Sequence, residues 1–219
     1  MTRNRFENQL HQLNNEIIRM GTMIEEAIEA AIDAFVHQDV RKAQSIIRGD
    51  DEINQCEKDI ESLCMRLLLE QQPVARDLRQ ISSALKMITD MERIGDHASD
   101  ISEMTILMSS TKYAGGVDHL QAMACETMKM LHESVDAFVR RDLSLAATVI
   151  ESDDKVDDLF LQVKEEIIDV IIAQKKNGEE AIDLLMVAKY FERIGDHATN
   201  IAEWVVYSIT GNHDAEVTE

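Results

Sequence analysis

From Leu10 the apolar positions run Leu10, Leu13, Ile17, Met20, Ile24, Ala27, Ala31 and Ala34, in alternating steps of three and four. This is the stripe of a long helix that buries one face against neighbours. Asp39 offers a side-chain cap to a second helix, whose stripe includes Ile46, Ile53, Ile60 and Leu67. Pro73 then interrupts the chain. A third helix is expected from about Val74 to Ser109, with Met87, Met91, Ile94, Ala98 and Ile101 on one face. The stretch SSTKYAGG, Ser109 to Gly116, reads as a turn.

After it the pattern restarts. Val117, Leu120, Ala124, Leu131 and Phe138 mark a fourth helix, and Asp142 caps a fifth with Val149, Val156, Val163 and Val170. KKNG, Lys175 to Gly178, is the next turn, and a sixth helix covers about Glu179 to Ile209. Helices of roughly 30 residues are about 45 Å long and suit an elongated bundle. The two halves share sequence as well as pattern. AIDAFVHQD (Ala31 to Asp39) recurs as SVDAFVRRD (Ser134 to Asp142), and Asp50-Asp51 recurs as Asp153-Asp154, both at an offset of 103. ERIGDHA occurs from Glu92 to Ala98 and again from Glu192 to Ala198, at an offset of 100. The three-residue difference falls between the second and third helices of each half, where length changes are cheap. The expected fold is all-α, two tandem duplicated antiparallel three-helix bundles: residues 1–113, residues 114–211, and a polar tail at 212–219.

Composition agrees with this and narrows the function. One proline, eight glycines and 4% aromatic residues do not suit a β-rich protein. The 22 Lys and Arg against 42 Asp and Glu give a net charge of −20. That disfavours nucleic acid, whose backbone is bound by clustered cations, and attachment to anionic lipid. No stretch approaches the roughly 20 apolar residues of a membrane span, so direct membrane insertion is not expected. The N-terminus has no apolar signal core. Cys56, Cys64 and Cys125 lack paired ligand spacing and read as small buried hydrophobes in a reducing compartment. The expected location is the cytoplasm.

The repeated heptapeptide carries the candidate chemistry. Glu92, Asp96 and Asp100 follow at steps of four beside the apolar seam, and Glu192, Asp196 and Asn200 repeat the arrangement. Like charges at that spacing repel, and carboxylates are hard ligands suited to Mg²⁺, Mn²⁺ or iron. A solvated helix face with Arg93 or Arg193 as counter-ions explains the same pattern, so both readings stand at this point. Gly95 and Gly195 sit between the acids despite a cost of about 1 kcal/mol against alanine inside a helix. Close approach of a helix or a bound group would explain them. His97 and His197 adjoin the stripe and read first as surface histidines, second as members of a site.

In the second helix Asp50 and Glu57 interrupt the apolar row, and in the fifth Asp153 does so where Phe160 replaces the counterpart of Glu57. A carboxylate facing another helix needs a partner or a metal. Helix antiparallelism brings Asp50 and Asp51 toward the Glu92–Asp100 region, and Asp153 and Asp154 toward Glu192–Asn200; exposure near a helix start is the alternative. No nucleophile with a placed base, glycine-rich phosphate loop or cysteine cluster occurs, so the chain reads as a regulatory or binding protein and not an enzyme.

The doubled ERIGDHA in a duplicated three-helix unit, with DLR (Asp77 to Arg79) after Pro73, resembles the PhoU family of phosphate-transport accessory proteins over about Glu7 to Ile209. The resemblance implies a cytoplasmic, commonly homodimeric negative regulator of phosphate uptake. Its partners would be the ATPase of the high-affinity phosphate ABC transporter and the phosphate-sensing histidine kinase. It also implies that Glu92-x₃-Asp96 and Glu192-x₃-Asp196 bind metal, iron or zinc in some members. Asn200 in place of an acid makes the second site the weaker, and no arginine in the second half matches Arg79. Two other classes stay in view. A metal-free helical dimerisation or adaptor protein would have no reason to repeat the acidic patch. A helical di-metal enzyme would place an acid-x₂-His motif inside the bundle, which His97 and His197 do not form.

Overall fold

A computed structural model describes residues 2–71, 73–110, 117–173 and 178–212. Within these described residues six helices follow in order: α1 Thr2–His37, α2 Val40–Gln71, α3 Ala75–Leu107, α4 Val117–Arg140, α5 Leu143–Ala173 and α6 Gly178–Thr210. Among the described residues there is no strand. The stripes read from sequence are the buried ones: Leu13, Ile17, Met20, Ile24, Met87, Met91, Ile94 and Ile101 are all inaccessible to solvent, as are Val149, Val156 and Val163.

The turns at 38 and 141 are built alike. Gln38 and Arg141 both take the left-handed conformation, φ 53° and 56°. The next amide closes a six-residue loop, Asp39 N donating to Ala34 O and Asp142 N to Ala137 O, each at 2.9 Å. The same aspartates then cap the following helix. Asp39 Oδ1 accepts from the amides of Arg41 and Lys42, and Asp142 Oδ1 from that of Leu145, all at 3.0 Å. Each turn therefore stops one helix and starts the next within two residues. Gln72 before the interruption at Pro73, most of the turns expected at 109–116 and 175–178, and all but the first residue of the tail expected at 212–219 lie outside the described residues, which flank them with the expected helices.

Helices α1–α3 form one three-helix bundle and α4–α6 a similar one. The bundles do not stand apart: α3 packs along α6 and α1 along α4, and a single apolar core runs through both halves. At the α1–α4 contact Gly21 has no room to spare, since a Cβ there would lie 3.3 Å from Val135 Cγ2. Among the described residues, helices α2 and α5 each touch only the two other helices of their own bundle. The outer helix of each half thus lies over the heptapeptide helix, which sets up the candidate site.

Candidate functional site

At each heptapeptide glycine the outer helix comes close. A Cβ at Gly95 would sit 3.1 Å from Ile53 Cγ2 and 3.7 Å from Asp50 Oδ1. At Gly195 it would sit 3.2 Å from Asp153 Oδ1 and 3.3 Å from Val156 Cγ1. The paired glycines expected to admit a neighbouring helix do so, and the helix they admit presents a carboxylate. Asp50 and Asp153, read as interruptions of an apolar row, reach the repeated motif in both halves.

The cost of that placement is visible in the electrostatics. Burial, then Asp96, then Asp51 raise the Asp50 carboxyl above the ordinary range, while Asn54 Nδ2 donates to its Oδ2 at 2.8 Å and offsets part of this. Asp50 Oδ1 is buried with no hydrogen bond of good geometry, although the Ser99 hydroxyl near the carboxyl also offsets part of the rise. In the second half burial, with Asp196 and Asp157 beside it, pushes Asp153 up to about 6. The amide of Asn54 is replaced there by the charge of Asp157, so the two halves are not electrostatic copies. Glu92 and Glu57 are raised chiefly by burial, with Asp96 among the charges acting on both. Asp196 is raised by burial and Glu192.

The remaining expected residues divide. Asp51 and Asp154 are exposed. Asp100 pairs along its own helix, its Oδ2 3.0 Å from His97 Nδ1, and its charge acts on Tyr190 of the other bundle. Asn200 donates to Asp90 Oδ1 at 3.2 Å, which His197 Nδ1 also meets at 2.8 Å. These groups make a polar seam where α3 crosses α6, with His97 5.6 Å from the Tyr190 ring and 5.7 Å from that of His197, centre to centre. His97 is therefore a buried interface group, 8% exposed, and not the surface histidine expected. Burial is also the main reason its ring is harder to protonate than usual. Cys56 and Cys64 are buried as expected, whereas Cys125 is exposed. Asp90, Asn54, Asp157 and Lys189 were not singled out from sequence; only Asn54 and Asp157, at the 103 offset, had a signal that could have found them.

The donor chemistry of the acidic patches fits a hard cation: oxygen ligands, mutual repulsion and one buried, unpartnered carboxylate oxygen. Cations of the chain itself now hold the acids. Arg93, 56% exposed, bridges Glu92 at 3.5 Å and Asp96 at 2.9 Å, and Lys189 pairs with Glu192. Among the described residues no three His, Cys, Asp or Glu side chains stand together as a ready metal cage.

Comparison with known proteins gives a consistent picture. The family model described as PhoU domain matches residues 17–105 and 120–205, one copy in each half. The phosphate-specific transport system accessory protein PhoU homolog of Clostridium acetobutylicum is 39% identical over 96% of this chain and 97% of that protein. The homolog of Aquifex aeolicus is 36% identical over 84% of each. The crystal structure of PhoU from Pseudomonas aeruginosa superimposes with a TM-score of 0.89 at 33% identity, over 94% of this chain and 100% of that one. That of the phosphate transport system regulatory protein PhoU from Streptococcus pneumoniae gives 0.86 at 30% identity, over 94% and 98%.

Proposed function

The chain belongs to the PhoU domain family, whose role is phosphate regulation and not catalysis, and from that premise we propose that it is a negative regulator of phosphate uptake and phosphate-regulon signalling. It acts in the cytoplasm, as a homodimer, on the ATPase of the high-affinity phosphate ABC transporter and on the associated sensor histidine kinase. The observation that carries this reading is the length of the match: both repeats align with the PhoU domain, and nearly the whole chain with a phosphate-specific transport system accessory protein. Physical features support it. Among the described residues no helix is long and apolar enough to cross a membrane, and a net charge of −20 favours basic protein surfaces over nucleic acid. Exposed Leu161, Ile168 and Ile172 give the outer helix α5 apolar area suited to a protein contact.

The same reading includes a hard cation at each acidic patch, held by Glu92, Asp96 and Asp50 in the first half and by Glu192, Asp196 and Asp153 in the second. The exposed Asp51 and Asp154, and Asp100 and Asn200, which are bonded to His97 and Asp90, would join only by turning toward it. Iron, zinc, manganese and magnesium all match the oxygen donors in charge. A bound ion would supply charge neutralisation between the outer helix and α3 or α6. The observation favouring it is the unpartnered Asp50 Oδ1. Lys189 on Glu192 and the diversion of Asn200 to Asp90 support a weaker second patch.

The partner claim is tested by retaining the purified transporter ATPase and the cytoplasmic part of the sensor kinase on the immobilised protein. Retention of either, released by competing free protein, is the expected result. Retention of neither removes the physical basis of the signalling role.

A further inference from the structure

In a chain this acidic, three arginines meet where α3 begins and α6 ends. Arg76 and Arg79 lie in the first turns of α3, and Arg141 occupies the left-handed turn between α4 and α5. Arg141 Nη2 donates to Ser208 O at 3.3 Å. Arg79 lies along Gly211, its Cδ and Nε 3.6 Å from the place a Cβ there would take. Burial, then Arg76 and Arg79, make the Arg141 guanidinium a stronger acid than usual, with Asp77 acting the other way. Cations driven together in this way need an anion.

Three further observations point to one. Arg79 Nε and Arg141 Nη1 are buried without a hydrogen-bond partner, which is costly for charged donors. The first turn of α3 adjoins them, and its cap residue, Val74, supplies no side-chain hydrogen bond to the orphan amides. Those amides and the helix dipole favour negative charge at that end. Finally, the duplication supplies an internal control. At the position matching Arg141 stands Gln38, whose Nε2 donates to Met108 O at the same 3.3 Å. A neutral amide thus suffices to tie the turn to the end of the long helix. The guanidinium charge and its second donor are surplus to that structural task. Arg79 is matched, at the offset of 100, by Glu179. The Arg79–Arg141 pair therefore exists in one half only.

We infer that Arg79 and Arg141, together with the uncapped first turn of α3, form a binding site for a small tetrahedral oxyanion of the phosphate or sulfate class. Guanidinium forks match such anions in geometry as well as charge. The inference stands on this geometry and does not depend on the regulatory reading above.

The test is calorimetric titration of the full chain with inorganic phosphate, and separately with sulfate, at ionic strength held constant with chloride. Saturable binding of one anion per chain is expected. Arg79→Gln and Arg141→Gln should each weaken it at least tenfold with helix content unchanged by circular dichroism, since Gln38 already serves in the sister turn of Arg141 and the counterpart of Arg79 is no arginine. Arg79→Lys, which keeps the charge but loses the fork, should fall between wild type and Arg79→Gln. Binding of neither phosphate nor sulfate, or equal binding by wild type and the Arg79→Gln/Arg141→Gln double variant, would overturn the inference. Because binding is read directly, a failed partner experiment would leave this result standing, and the reverse holds too.

Discussion

Replacing Asp153 by Asn should stabilise the protein. The carboxyl is half-buried against Gly195, with Asp196 and Asp157 beside it, and is pushed from 3.8 up to about 6. A carboxyl whose folded value lies above its unfolded one loses stability as pH rises from the unfolded value through the folded one, because there the folded state holds more protons. At about 1.4 kcal/mol per pH unit the full difference is about 3 kcal/mol above pH 7. Solvent screening of this partly exposed group reduces that to about 1–3 kcal/mol. Asn keeps the shape and removes the charge. Urea unfolding at pH 7.5 should therefore show Asp153→Asn more stable than wild type by about 1–3 kcal/mol, with the gap falling to about half at pH 5.0. Asp50→Asn should gain less, since the Asn54 amide already donates to Asp50. No stabilisation at pH 7.5, or a gap that widens as pH falls, would refute the argument that Asp153 is a strained carboxylate.

Three other outcomes follow from the same structure. Gly49→Ala, with nothing within 4 Å of the new methyl, should add about 1 kcal/mol of helix propensity, whereas Gly95→Ala, 3.1 Å from the stiff Ile53 Cγ2, should destabilise by about 1–2 kcal/mol; thermal melts of the pair read the sign. Asp39→Ala removes the acceptor for two amides at the start of α2 and should cost about 1 kcal/mol in chemical denaturation. Offered Mn²⁺, Zn²⁺ or iron after removal of chelator, wild type should bind with two unequal affinities and gain thermal stability by mass action. Glu92→Gln/Asp96→Asn should lose the tighter site, and equal metal content by elemental analysis would show that the patch is only a salt-bridged surface.

Much of this was legible in sequence because long helices carry a 3.6-residue signal over many turns. The stripes through Leu13–Ala34 and Met87–Ile101 named their buried faces, and Asp39 and Asp142 marked the turns by capping chemistry. The repeat pointed to Gly95, Gly195, Asp50 and Asp153 together, since a close approach of a helix or a bound group accounts for glycine in both copies, and the structure shows the helix. What the pattern did not reveal depends on the rotation of one bundle against the other. Steps of four placed Glu92, Asp96 and Asp100 on one drifting stripe, but each step rotates the position about 40°. By Asp100 the stripe has turned from α2 toward α6, where Asp100 acts on Tyr190 while its carboxylate meets His97 of its own helix. Asp90 and Tyr190 differ between the halves, so the repeat gave no hint that they pair with the histidines across the bundles. Lys189 likewise replaces Thr89 and could not be read from the first half.

The central claim is that this chain restrains phosphate uptake, and the most direct measurement is the initial rate of labelled phosphate entry in phosphate-replete cells lacking the protein. Loss of the chain should raise the rate, and supplying it in trans should restore restraint only while the transporter is present. An uptake rate unchanged by its loss, or lowered by it, would contradict the account.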